Sequence, residues 1–108
     1  MSFDFPLKVI KYVEKLETAR KYVIARQILR SGTSIGANIR EAQNAESRAD
    51  FIHKMKIAAK EADETDYWLL LCKGSEGYED CEYLLEDCTS IMKVLSKIIA
   101  STKSKSIN

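Results

Sequence analysis

The sequence has few of the proline, glycine, cysteine and histidine residues on which most small folds other than helical bundles depend. It contains 1 proline and 4 glycines in 108 residues, too few turn residues for a sandwich or barrel of short strands. Its 3 cysteines and 1 histidine exclude a disulfide scaffold and the di-iron site of helical bundles. The longest apolar run, residues 67–72, is far shorter than the roughly 20 residues that span a bilayer. Because 45% of the residues are apolar and 31% charged, the chain is typical of long amphipathic helices.

Apolar residues recur every three or four positions in four stretches of the chain. Pro6 suits the start of the first helix, since its missing N–H would have no partner there. Ser47, followed three residues later by Asp50, is a capping pattern at the start of the third helix. The pattern predicts helices at about residues 6–18, 19–45, 48–73 and 79–101, in one domain of residues 1–102 that is followed by a frayed tail of residues 103–108.

Short connections between these helices favour antiparallel neighbours, so the predicted fold class is all-α, an antiparallel up-down-up-down four-helix bundle. Residues 31–34 combine a glycine with three hydroxyl residues and could end a helix. The apolar period continues on both sides of them, and we therefore predict one helix with room for a bend. Helix four carries two adjacent apolar stripes. They either widen the core or contact a second copy, and we expect the second.

No arrangement of residues points to catalysis. Cys81 and Cys88 lie about 10 Å apart along one helix, too far for a disulfide, and the cysteines are predicted to be buried free thiols. The acidic residues between 61 and 66 are typical of a solvated helix face. The chain has no phosphate-binding glycine loop and no nucleophile elbow. We predict a protein that is not an enzyme and that uses no cofactor and no metal.

The charges are segregated along the chain. Residues 1–60 hold 12 basic and 6 acidic residues, residues 61–92 hold 1 and 10, and residues 93–108 hold 4 and none. This segregation fits a basic face for phosphates, complementary contacts between copies, or pairing within one chain, and all three stay open. The candidates for binding RNA or DNA are Arg20, Lys21, Arg26, Arg30, Arg40, Arg48, Lys54 and Lys56.

Two stretches carry a resemblance to a known family: residues 30–42, RSGTSIGANIREA, and residues 49–69, which begin ADFIHKMKIA and end YWL. They resemble the bacterial four helix bundle protein family, which includes proteins encoded in intervening sequences of large-subunit ribosomal RNA genes and is similar to the accessory protein of diversity-generating retroelements. The resemblance implies an oligomer, commonly a pentameric barrel with a basic surface, a role in binding nucleic acid, and no enzymatic activity. A net charge of +1 is low for a structural ribosomal protein, so association with the RNA gene is the preferred interpretation.

Several residues of these motifs are interpreted as packing and register residues. A small-xxx-small spacing of two glycines lets another helix come close, and the polar members are expected to set helix register through hydrogen bonds or ion pairs. The two aromatic residues are expected to anchor an interface, with stacking on bases as the alternative. The residues are Gly32, Gly36, Asn38, Glu41, Glu61, Tyr67 and Trp68.

The predicted partners are further copies of the chain, with a homopentamer favoured, and RNA or DNA. The alternative is a structural scaffold that binds a protein partner and uses its charges only for assembly. The N-terminal residues 1–6 lack the basic and apolar regions of a signal peptide. We therefore expect a cytoplasmic protein with no membrane contact.

Overall fold

A computed structural model describes the backbone of residues 4–107 and the side chains through residue 104, and the regular structure in this part of the chain is all helical. The helices are α1 (Asp4–Thr18), α2 (Tyr22–Gln43), α3 (Arg48–Lys73) and α4 (Glu82–Ile107). The prediction of an all-α, antiparallel four-helix bundle is confirmed. The molecule is elongated, 52 × 21 × 20 Å, because the long helices run side by side.

The turn between α1 and α2 is a Schellman motif. The Lys21 N–H donates to the Leu16 carbonyl at 2.8 Å, and the Arg20 N–H donates to the Glu17 carbonyl at 2.9 Å. Arg20 has φ 63°, the left-handed conformation that this motif requires and that glycine usually supplies. Since the motif ends α1 and reverses the chain, α2 begins at Tyr22 and not at residue 19 as predicted.

The ends of α3 and α4 are set by side-chain hydrogen bonds. Ser47 Oγ accepts from the Asp50 N–H at 3.0 Å, so the capping pattern starts α3 as predicted. The Tyr12 hydroxyl donates to the Glu79 carbonyl at 2.9 Å and holds that residue in the connection, so α4 begins later than residue 79. α4 also continues past residue 101 to Ile107; Asn108 of the predicted tail lies outside the described residues.

α2 is continuous through residues 31–34. Two of the three hydroxyls in this stretch donate to carbonyls of the preceding turn: Ser31 Oγ to the Gln27 carbonyl at 3.0 Å and Thr33 Oγ1 to the Leu29 carbonyl at 2.6 Å. These bonds satisfy the hydroxyls without leaving the helix. The stretch that could have ended a helix is therefore an interior segment of α2.

The core has two parts because α1 is the shortest helix. The larger part, which includes Tyr12 and Leu69, draws side chains from all four helices. The smaller part, around Met55 and Leu95, is formed by α2, α3 and α4 alone. All three cysteines are free and buried, which confirms the prediction of core thiols.

Candidate nucleic-acid interface

The structure divides the predicted basic residues between the two ends of the bundle. Arg20 and Lys21 lie in the turn before α2, whereas Arg48, Lys54 and Lys56 lie in the first turns of α3. α2, with 22 residues, separates Arg20 from Arg48 by roughly 33 Å at 1.5 Å per residue, and Lys56, eight residues along the returning α3, lies roughly 12 Å nearer. The eight candidates do not form one continuous patch on a single chain.

The other three candidates lie on the outward side of α2. Arg26, Arg30 and Arg40 are exposed, while Ile28 and Ile35 of the same helix are buried. At 100° per residue, the three arginines point away from the core. Arg30 lies on the side of α2 that faces α3, whereas Arg40 lies on the side that faces α1 and α4, so the three are spread over about 80° of the outer helix surface.

Two of the eight basic residues are used in ion pairs between α2 and α3. Arg30 Nη1 lies 3.2 Å from Glu61 Oε2, and Arg30 Nη2 contacts Glu64. Lys54 Nζ lies 3.0 Å from Glu41 Oε1. Among residues 4–104, the remaining six have no carboxylate within 4 Å, so most of the candidate charge faces solvent.

Two lysines, from α3 and α4, lie near each other. The Lys56 side chain beside Lys103 lowers the pKa of Lys103. Lys103 is not among the residues predicted to bind nucleic acid, although it lies in the basic final segment of the chain.

The packing residues of the motif differ in how closely they contact α1. A Cβ on Gly32 would lie 2.9 Å from Val9 Cγ1, whereas a Cβ on Gly36 would meet Pro6 Cγ at an ordinary 3.7 Å. The Asn38 amide donates to a carbonyl of its own helix. The close approach of α1 and α2 is therefore at Gly32.

One cavity brings predicted residues of both kinds together. It has a volume of about 440 Å³ and lies between the α1–α2 turn, the C-terminal half of α3 and the α3–α4 connection. Lys21 Nζ lies 5.0 Å from the centre of the Tyr78 ring. The Trp68 ring packs edge-on against Tyr67, with ring centres 5.4 Å apart. The lining residues are Arg20, Lys21, Tyr22, Val23, Ile24, Gln27, Trp68 and Tyr78.

A second, larger groove of about 930 Å³ lies between α1, α2 and α4. Gly36 and Arg40 contribute to its wall. Lys8 of α1 forms an ion pair with Asp87 of α4 across 2.9 Å, and both line the groove. Because only one candidate cation faces it, the groove does not collect the predicted binding residues.

The described residues offer little for catalysis. No group of three or more His, Cys, Asp or Glu in this part of the chain is placed to hold a metal ion. Burial raises the pKa of Cys72 to about 11 and that of Cys88 to about 12, so neither thiol is a ready nucleophile. None of the described helices has the length and apolarity to span a membrane.

Comparison with known proteins agrees with the fold. The model of the family described as 23S rRNA-intervening sequence protein matches residues 1–97. The chain belongs to this family. It is similar to a crystal structure of a protein with unknown function from the S23 ribosomal protein family of Bacteroides thetaiotaomicron VPI-5482. The two are 48% identical over 89% of this chain and 92% of that one, with a TM-score of 0.85. No curated protein matches.

In this member of the 23S rRNA-intervening sequence protein family, sequence analysis missed two aromatic residues of the small cavity. Tyr22 follows Lys21 directly, and Tyr78 follows Gly77 in the α3–α4 connection. Residue 22 lies within the predicted second helix, and Tyr78 has no basic neighbour in sequence. The two rings are far apart in sequence and come together only in the folded chain.

Proposed function

We propose that this protein is a non-enzymatic accessory protein, connected with rRNA intervening sequences, that assembles into a homo-oligomer and binds RNA or DNA weakly through phosphates. The observation that carries the proposal is that α2 exposes two cations that no described carboxylate neutralises. Arg26 and Arg40 are exposed, and within residues 4–104 neither has a carboxylate partner. Such cations bind phosphates without reading sequence.

Exposed apolar side chains support assembly. Leu7 is 55% exposed, Tyr67 56% and Val94 43%. Apolar side chains of this size on three different helices suit contacts between copies. A closed ring, with five copies favoured, would repeat the exposed arginines of α2 around its circumference and strengthen a modest charge on each copy.

The test measures binding of a labelled RNA and a labelled DNA against salt concentration. Phosphate binding weakens steeply as salt rises, with a slope proportional to the number of phosphates neutralised. The same samples are measured by light scattering after size exclusion. We expect a mass that is a multiple of 12.3 kDa, and a monomer at micromolar concentration would contradict the assembly.

Charge reversal identifies the surface. The pair Arg26→Glu and Arg40→Glu should abolish binding and leave the oligomer intact. The matched control is Lys11→Glu with Lys15→Glu, which changes the net charge equally at exposed positions of α1 and should retain most of the binding. Equal loss in both pairs would mean a diffuse charge effect and not an interface on α2. No binding by the wild-type protein at low salt would refute the proposal and favour a scaffold for a protein partner.

A further inference from the structure

We propose that the small cavity at the α1–α2 turn binds one unpaired nucleobase, so that the protein selects single-stranded over duplex nucleic acid. The inference rests on the proposed function, because it assumes that the protein binds nucleic acid. It adds the class of nucleic acid and a site that contacts a base and not only phosphates.

The composition of the cavity wall suits a base and its phosphate. Three aromatic rings, from Tyr22, Trp68 and Tyr78, and two cations, from Arg20 and Lys21, line it, and no carboxylate does. Stacking on aromatic rings next to basic side chains is how proteins hold single strands without reading sequence. The volume of about 440 Å³ lies within the roughly 300–1,000 Å³ typical of ligand sites.

The aromatic side chains are available for stacking. Tyr22 is 54% exposed, whereas a tyrosine that packs in the core would be buried. Trp68 is only partly buried, and its indole N–H has no acceptor among residues 4–104. Tryptophan N–H groups away from water usually have a partner. Part of each ring is therefore exposed in the single chain.

The cations are held in position at the cavity. Lys21 is placed over the Tyr78 ring, 5.0 Å from its centre, so its charge stays at the wall. Arg20 occupies the left-handed position of the Schellman motif, φ 63°, where glycine is the least strained residue. The fold thus carries a guanidinium at the one position of the turn where a side chain is disfavoured. Strained positions of this kind cluster at binding sites.

The shape of the site favours a single strand. In a duplex each base is stacked between its neighbours, so a protein reaches its faces only after unstacking it. The exposed acidic residues Glu76, Glu79 and Asp80 occupy the adjoining α3–α4 connection and oppose the approach of a highly charged duplex. A single unpaired base with its phosphate brings fewer negative charges near these carboxylates.

Trp68 provides a direct measurement, because it is the only tryptophan in the chain. The protein is titrated at low salt with a single-stranded oligothymidylate of about 12 nucleotides, the same strand in a duplex, and an abasic strand of equal length. We expect the oligothymidylate to quench Trp68 fluorescence and to bind several-fold more tightly than the other two. The abasic strand should bind through phosphates without quenching.

Two variants and a control complete the test. Tyr22→Ala should weaken binding of the oligothymidylate by roughly 5- to 100-fold, the range expected for one stacked base, and leave binding of the abasic strand unchanged. Arg20→Gly keeps the turn and should weaken binding of both the oligothymidylate and the abasic strand. Tyr83→Ala, a partly exposed tyrosine on α4 outside the cavity, should change neither.

The outcomes separate this inference from the proposed function. Equal affinity for the oligothymidylate and the abasic strand, with Trp68 fluorescence unchanged, would overturn the base site and leave phosphate binding standing. Duplex binding as tight as single-strand binding would also overturn it. Fluorescence that responds to dilution of the protein but not to nucleic acid would mean that a second copy covers the cavity. No binding of any probe would refute both proposals.

Discussion

Replacing Gly32 by alanine tests the closest approach between α1 and α2. The added Cβ would lie 2.9 Å from Val9 Cγ1 and 3.0 Å from Val9 Cγ2, distances that require one helix to move. Val9 is fully buried and β-branched, so its side chain has few other rotamers in a helix. The overpacking is expected to cost about 1–3 kcal/mol.

Gly36→Ala is the matched control, because it makes the same change on the same helix. Its Cβ would meet Pro6 Cγ at 3.7 Å, an ordinary contact. Both substitutions gain about 1 kcal/mol in helix propensity, so this gain cancels in the comparison. We expect Gly36→Ala to be more stable than Gly32→Ala by about 1–3 kcal/mol, and more stable than the wild type by up to about 1 kcal/mol.

Urea unfolding followed by far-ultraviolet circular dichroism measures the difference, at one fixed protein concentration because assembly adds to apparent stability. The double variant Val9→Ala with Gly32→Ala checks the cause. Removing the Val9 methyls opens space for the new Cβ, so the two changes should couple and cost less together than separately. Equal unfolding midpoints for Gly32→Ala and Gly36→Ala would refute the assignment of the close contact.

Two further predictions concern stability. Burial raises the pKa of Cys72 to about 11 and that of Cys88 to about 12 in the folded chain, whereas both thiols have a pKa near 9 in the unfolded chain. The unfolded state therefore loses these protons first. Stability should be unaffected below about pH 9 and should fall as the pH rises toward 11 and 12. Unfolding midpoints across this range check it, and Cys88→Ala should have a smaller slope; a flat profile would contradict it. Arg20→Gly should retain or raise the midpoint of thermal unfolding. Glycine removes the strain of the left-handed conformation, about 1–2 kcal/mol, and this gain opposes a similar cost from the larger chain entropy that glycine loses on folding. A clear fall of the midpoint would mean that the Arg20 side chain stabilises the turn.

The sequence pattern was sufficient to predict the features that depend on residues close together in sequence. Ser47 and Asp50 set the start of α3 through a local hydrogen bond, and the predicted range 48–73 equals the observed helix. The apolar period carried the assignment of α2 across residues 31–34, because the hydroxyl groups there bond within their own helix. Burial of the cysteines followed from their positions on apolar stripes.

Tertiary structure decided the features that depend on which residues meet across the bundle. The two glycines of α2 look equivalent in sequence, but only Gly32 faces a buried valine at short distance. Arg30 and Lys54 look like free cations until α3 brings carboxylates to them. The cavity joins Arg20 to Trp68, residues separated by most of two helices. Helical periodicity shows which side of a helix faces inward. Which residues of two neighbouring helices contact each other depends on the geometry of the turns and on how far one helix is shifted along the other. One of these turns contains an arginine in a conformation typical of glycine.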